Sequence, residues 1–311
     1  MMDMKSERTR RDFLRHMGIL TGGAVIAPAK PVFAPDSAVP DVVVVNGEDP
    51  KALVKRAIAE LGGMKKFVSR GDVVVVKPNM AWVRRPEQAA NTNPDVVAGL
   101  IEMAFEAGAK EVKVFDRTDR KPEDCYATSG IADAARKLGA QVFLQKDLPT
   151  VKVPLKDAVN LKESLITKAA LECDCFINVP VAKHHRTPIL TLAMKNHLGV
   201  TDDDHQKTWH RNINQSIADF ALHFKPKLTV IDAYRILLRN GPYGGNLQDV
   251  QLTRKCIAGV NQASVDAVGS TLFPMYCKKP SDIPHIDLAG KMGVGEIDLA
   301  KLKISEVSVV G

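Results

Sequence analysis

The chain has 311 residues, 45% of them apolar and 25% charged, with a formal net charge of +7. That length buries a substantial core without a metal or disulfide staple and suits one large domain or two closely joined ones. Residues 1–34 hold six Lys/Arg against three Asp/Glu, so the remainder carries only +4; with no dense basic run and no aromatic interleaving, a nucleic-acid partner is excluded.

Near the N-terminus, Thr9-Arg10-Arg11-Asp12-Phe13-Leu14-Arg15 resembles a twin-arginine (Tat) export motif. A mildly apolar, glycine-rich stretch over 17–27 follows, and then Ala27-Pro28-Ala29, an A-x-A-like cleavage site. Residues 1–34 are read as signal peptide and linker, which makes the Tat export machinery a partner and the periplasm, or an equivalent extracytoplasmic space, the destination. The same residues also fit an amphipathic first helix. The apolar stretch is too short and too rich in glycine for a stable membrane span.

Residues 40–311 alternate apolar β-branched runs with helical patterns, predicting a single α/β domain. Strand 41–45 and helix 50–61 come first. Residues 72–77 form a continuous apolar run, the mark of a strand covered on both faces. Helix 94–107 follows, with Asn93 as N-cap and Gly108 as stop, then strand 111–115, helix 129–138 and strand 141–144. The second half predicts helix 161–171, strand 175–179, helix 189–198, a polar loop 201–211, helix 213–223 and strand 227–233. A Gly/Asn-rich loop at 240–246 precedes strand 255–259, helix 262–273 and strand 303–310. The repeated βα alternation predicts a mainly parallel β-sheet with right-handed crossovers and helices on both faces. Cys125, Cys173, Cys175, Cys256 and Cys277 show no iron–sulfur or zinc spacing, and one disulfide is compatible with an oxidising compartment.

In open parallel sheets, ligands sit beyond the carboxyl ends of the strands. Polar groups gather there: Lys77 and Asn79 after one strand, Asp116 after the next, Asn178 and Lys183-His184-His185 around a third, and Asp232 on a fourth. Lys195, Asn196 and His197 add to the densest stretch, residues 175–200. Any one of these alone is an ordinary solvated loop group, so the argument rests on their convergence. Lys183, His184, Lys195 and His197 are the expected catalytic groups. Lys77, Asn79, Asp116, Asn178, Asn196, Asp232 and Asp266 are expected to bind the ligand. The three lysines clamp an anion, and a poorly solvated lysine beside other cations can also serve as a base. The histidines move protons, while Asp232 and Asp266 orient the cations. His184, His185, His197, His205 and His210, with Asp202-Asp203-Asp204, have metal-ligand chemistry but no closed ligand spacing, so metal and cofactor stay unspecified. His223 and His285 read as structural or exposed. There is no Walker loop, no GxGxxG after the first strand and no GxSxG.

Lys77-Pro78-Asn79, Asn91-Thr92-Asn93-Pro94, Ser129-Gly130, Ile177-Asn178-Val179-Pro180 with Lys183-His184, and Ala193-Met194-Lys195-Asn196-His197-Leu198-Gly199-Val200 recur in order. With Ile231-Asp232-Ala233, Gly241-Pro242, Ala258-Gly259 and Val265-Asp266-Ala267-Val268-Gly269, they resemble the domain of unknown function 362 family over about residues 40–310. Where the family pattern has Thr-Thr-His-Pro this chain has Asn91-Thr92-Asn93-Pro94, and where an Asp follows Ala-Gly it has Asn261. The ferredoxin-like cysteine cluster of some relatives is missing. The resemblance implies fold and site rather than a reaction. Lactate-racemase-type proteins, which use lysine and histidines around a nickel cofactor, are a more distant likeness in fold class. The reading is an exported enzyme or cofactor-dependent protein with a Lys/Asn/His site for a small anionic ligand. The alternatives are a non-catalytic periplasmic solute-, metal- or cofactor-binding protein and an accessory protein for an exported redox enzyme.

Overall fold

A computed structural model describes residues 39–204 and 207–309. The twin-arginine segment, the cleavage site and His205 lie outside the described residues.

In chain order the elements are β1 (Val42–Asn46), α1 (Pro50–Glu60), β2 (Val73–Pro78), α2 (Pro94–Glu106), β3 (Glu111–Val114), α3 (Pro122–Thr128), α4 (Ile131–Lys137) and β4 (Gln141–Val142). They continue with β5 (Thr150–Pro154), β6 (Glu163–Thr167), α5 (Lys168–Glu172), β7 (Cys175–Val179), β8 (Val181–His185), β9 (Ile189–Thr191) and α6 (Ala193–Asn196). The last are α7 (Ile213–His223), β10 (Leu228–Leu237), β11 (Val250–Gly259), α8 (Gln262–Ser270), α9 (Pro284–Lys291) and β12 (Ile304–Ser308).

The main sheet runs β12-β1-β11-β10-β7-β2-β3-β4, with β8 joined to β10 and β9 to β8. From β10 through β7, β2 and β3 to β4 every pairing is parallel, whereas β11 lies antiparallel between β10 and β1. The fold is α/β, a mixed and mostly parallel sheet between helical layers.

Strand alternation explains why both faces are apolar. Val43, Val45, Val74, Val76, Cys175 and Ile177 face a core shared with Leu53, Val54, Val97, Leu100 and Ile131 of α1, α2 and α4. Val42, Val44, Val75 and Phe176 face the opposite core, shared with Ile217 and Phe220 of α7, Val265 of α8 and Ile286 of α9. Asp49 and Asn93 cap α1 and α2, accepting from Lys51 N at 3.0 Å and Asp95 N at 2.9 Å, each beside a proline in the first turn.

Several sequence expectations differ. Residues 161–171 contain strand β6 before the short helix α5, because residues 163–167 alternate burial and pair antiparallel with β5. Residues 189–198 begin as strand β9 and become helical only at Ala193. Residues 183–185 are not loop but strand β8. Pro180, which has no N–H, ends the β7 ladder, and its carbonyl accepts from Asp232 N at 2.8 Å as the chain shifts to pair further along β10. All five cysteines are free and buried, so the described chain holds no disulfide.

Phe176 is fully buried and meets Phe224 edge-on, ring centroids 5.0 Å apart. Phe176→Ala is expected to lower stability by about 3–5 kcal/mol, read as a reduced urea midpoint with unchanged slope.

Candidate functional site

The segments that follow β2 and β3, together with the β8–β9 hairpin and the residues after it, surround a cavity of about 520 Å³. Asn79, Asp116, Lys183, Lys195 and Asn196 line it, as do His185, Thr191, Arg117, Asp119 and Gly199.

At its base is a buried ion pair. Lys77, the penultimate residue of β2, places Nζ 2.7 Å from Asp116 Oδ1, with both side chains sealed from solvent. Lys77 Nζ also donates to the Asn196 carbonyl at 2.6 Å and to Asn196 Oδ1 at 2.9 Å. Three oxygens, two as hydrogen-bond acceptors and one as the ion-pair carboxylate, thus surround the ammonium within 2.9 Å. Burial drives the Lys77 pKa down and the Asp116 pKa up, and the attraction between them opposes both shifts. Asp116 Oδ2 accepts in addition from Met80 N at 2.6 Å. Gly199 closes over the pair: a Cβ there would lie 1.8 Å from Asp116 Oδ1 and 2.4 Å from Lys77 Nζ.

Asn196 ties this base to the wall. Its Oδ1 accepts from Asn79 Nδ2 at 3.2 Å, and its Nδ2 donates to Asn178 Oδ1 at 2.9 Å. Asn178 Nδ2 in turn donates to the Ala193 carbonyl at 2.8 Å. Asp266, from α8, accepts from Ala193 N at 2.6 Å and Met194 N at 3.0 Å, satisfying the first amides of α6. Asp266 therefore positions the short helix carrying Lys195 and makes no direct contact with the cations; burial raises its pKa to about 7.

The three lysines differ in hydrogen bonding. Lys77 has the full complement described above. Lys183 Nζ donates to the Ala90 carbonyl at 2.6 Å and to Asn79 Oδ1 at 3.1 Å, two acceptors only. Burial first, and the Lys195 charge second, pull its pKa down to about 7. Lys195 lines the cavity with no hydrogen-bond partner among the described residues, and burial followed by the Lys77 charge lowers it to about 8. Thr191 Oγ1 is likewise buried without a partner.

Strand geometry sorts the histidines. Lys183 and His185 stand on one face of β8 and His184 on the other. His184 turns from the cavity, stacks on Tyr276 at 4.9 Å and accepts from Gly241 N at 3.2 Å. His185 lines the cavity instead. Its Nδ1 accepts from Thr187 N at 3.2 Å, which leaves the proton of the neutral ring on Nε2. Burial, then the Lys195 and Lys183 charges, holds that ring neutral. His197 also lies away from the cavity, in an aromatic nest of Phe176, Phe220 and Phe224 with Nε2 against Gln262 Oε1. Asp232 accepts from Asn93 N at 2.7 Å and Tyr234 N at 3.1 Å, fixing the start of α2 rather than a cation; burial lifts it to about 6. His285 is fully buried, its pKa drawn down to about 3 by burial and by the Lys195 charge.

Sequence reasoning passed over Thr191 and Gly199. The signal for Thr191 was the hairpin register, which pairs it directly with Lys183. Among the described residues, no group of three or more His, Cys, Asp or Glu side chains is placed to hold a metal ion. Among the described residues no helix is long and apolar enough to cross a membrane.

Residues 74–271 match the family described as Domain of unknown function (DUF362). The chain belongs to this family. A thylakoid-associated protein of Synechocystis sp. is 27% identical over 255 residues, covering 78% of this chain and 75% of its own. A crystal structure of a Thermotoga maritima protein is similar at TM-score 0.41 and 13% identity, over 64% of this chain and 54% of that one. The lactate racemase apoprotein from Thermoanaerobacterium thermosaccharolyticum is similar at TM-score 0.42 and 12% identity, over 73% and 55%. This chain spans about half the length of those two structures, and at that distance neither carries an argument about chemistry.

Breaking one half of a buried pair strands the other charge. Lys77→Met is expected to destabilise the protein by about 3–5 kcal/mol, whereas Lys77→Met with Asp116→Leu regains most of that loss. Gly199→Ala should behave like the single variant. Urea denaturation of the three proteins, with circular dichroism as readout, checks the ranking.

Proposed function

We propose that the protein is an exported enzyme that binds a small carboxylate or phosphate compound in this cavity and moves a proton on it. The observation that carries the reading is the unequal hydrogen bonding of three lysines around one space. Lys77 is saturated and holds the base in place. Lys195 has no hydrogen-bond partner among the described residues, and a desolvated ammonium in that condition favours an incoming anion. Lys183, with its pKa brought down to about 7, is matched to proton transfer near neutral pH. His185 contributes an N–H donor, and Asn79 fixes Lys183.

This revises the roles expected from the sequence. Proton transfer passes to Lys183 with His185, in place of His184 and His197, and Lys195 alone is the anion clamp. Export rests on the Arg10-Arg11 motif and the Ala27-Pro28-Ala29 site. With Arg10→Lys and Arg11→Lys together, the protein is expected to stay in the cytoplasmic fraction of a Tat-competent host; periplasmic recovery equal to that of the native leader would defeat the export reading.

The pH dependence follows from the two lysines. Proton abstraction needs neutral Lys183, so activity rises through about pH 7. Anion binding needs charged Lys195, so activity falls above about pH 8. The profile is a narrow bell with limbs of about tenfold per pH unit. Lys195→Arg should remove the alkaline limb and keep the acidic one, because a guanidinium stays charged.

Native mass spectrometry of protein exported with its own leader, followed by calorimetric titration with inorganic phosphate and a panel of mono- and dicarboxylates, tests the site. Binding by the native protein that weakens at least about tenfold in Lys195→Met supports it. Unchanged affinity in that variant removes the clamp. Binding without turnover by any bound compound favours the non-catalytic solute-binding alternative.

A further inference from the structure

Lys183 is the one lysine of the cavity whose hydrogen bonding suits a neutral amine. Its two acceptors, Ala90 O and Asn79 Oδ1, account for both hydrogens of an –NH2 group. The lone pair is then the remaining tetrahedral position of a nitrogen that lines a cavity of about 520 Å³. Lys77, bound by three oxygens, has no such position. An amine held by two hydrogen bonds with its electron pair unclaimed is a nucleophile as well as a base.

The surroundings select what it attacks. Thr191 is the direct cross-strand partner of Lys183, and its Oγ1 is 97% buried by residue and without a hydrogen-bond partner. Lys195, also without a partner among the described residues, lies close enough to lower the Lys183 pKa. A hydroxyl and an ammonium beside a nucleophilic nitrogen describe a carboxylate subsite next to a carbonyl subsite. His185 lines the same space, with Nε2–H as its donor.

We propose that Lys183 forms an imine with a small 2-oxo acid, whose carboxylate is held by Lys195 and Thr191. This rests on the anion-site reading above and names its substrate class. The Lys183 lone pair attacks the carbonyl carbon, and the C=O π electrons move to the oxygen, which accepts the N–H of His185. One proton passes from nitrogen to that oxygen, giving a carbinolamine. The C–O bond then breaks, and the oxygen leaves as water with the second amine hydrogen, so no oxidant or reductant is consumed. The imine draws electrons from the adjacent carbon and acidifies its C–H bonds, which gives the proton transfer a chemical purpose.

Pyruvate and cyanoborohydride are the probes, applied to the folded full-length chain above the Lys183 value of about 7. The expected product is one adduct per chain, heavier than the protein by pyruvic acid less one oxygen atom, mapped by peptide mass spectrometry to Lys183. Lys183→Gln should trap at least about tenfold less, and Lys195→Met should need about tenfold more pyruvate for the same adduct. The map of the native protein decides the site of attachment even where a variant misfolds. Pyruvate that binds by calorimetry yet leaves no adduct overturns the nucleophile and spares the anion site. An adduct that maps elsewhere, or persists in folded Lys183→Gln, also overturns it. Failure of both pyruvate and inorganic phosphate to bind removes the anion site and this inference together.

Discussion

The Lys77–Asp116 ion pair is the interaction on which the rest of the site depends. Two charges sealed from water are tolerated only where each finds a partner and their remaining hydrogen-bonding capacity is filled. Here the filling is done by Asn196 on one side and the Met80 amide on the other, so the pair joins the ends of β2 and β3 to the segment after β9. Gly199 is required because the pair occupies the space a side chain would take.

From that base the site grows by connected polar contacts. Asn196 reaches Asn79 and Asn178, Asn178 reaches the α6 backbone, and Asp266 holds the same backbone from α8. Each buried polar group settles its neighbour, as low-dielectric networks demand. Lys195 and Thr191 stand outside the network, lining the cavity with no hydrogen-bond partner among the described residues. Lys183 stands halfway, fixed by two acceptors. Three lysines of one chemical type thus differ in their neighbours: Lys77 meets three oxygens, Lys183 two, and Lys195 none among the described residues.

The αβα layering was legible because residues 72–77 and 175–179 are apolar on both faces, and α2 and α7 carry clear helical periodicity. The convergence of Lys77, Asn79, Asp116, Lys183, Lys195 and Asn196 on one space was legible too. Roles were less legible. His184 and His185 are adjacent in sequence, but strand pleating sends one to Tyr276 and the other to the cavity. His197 looked polar in the sequence, yet the aromatic nest around it comes from Phe220 and Phe224, a helix away. Residues 161–171 failed because β6 is stabilised by pairing with β5, a contact that local propensity does not contain.

The sequence by itself determined the alternation of elements, the apolar faces and which segments bring cations and amides to one rim of the sheet, because those follow from periodicity and strand order. Only the tertiary structure decided which carboxylate pairs with a lysine and which merely caps backbone: Asp116 takes the first role, Asp232 and Asp266 the second. It also decided how many acceptors each lysine meets. Those outcomes depend on burial and on hydrogen-bond partners a hundred residues away, and a side chain's charge and reactivity are set by such neighbours rather than by its place in the chain.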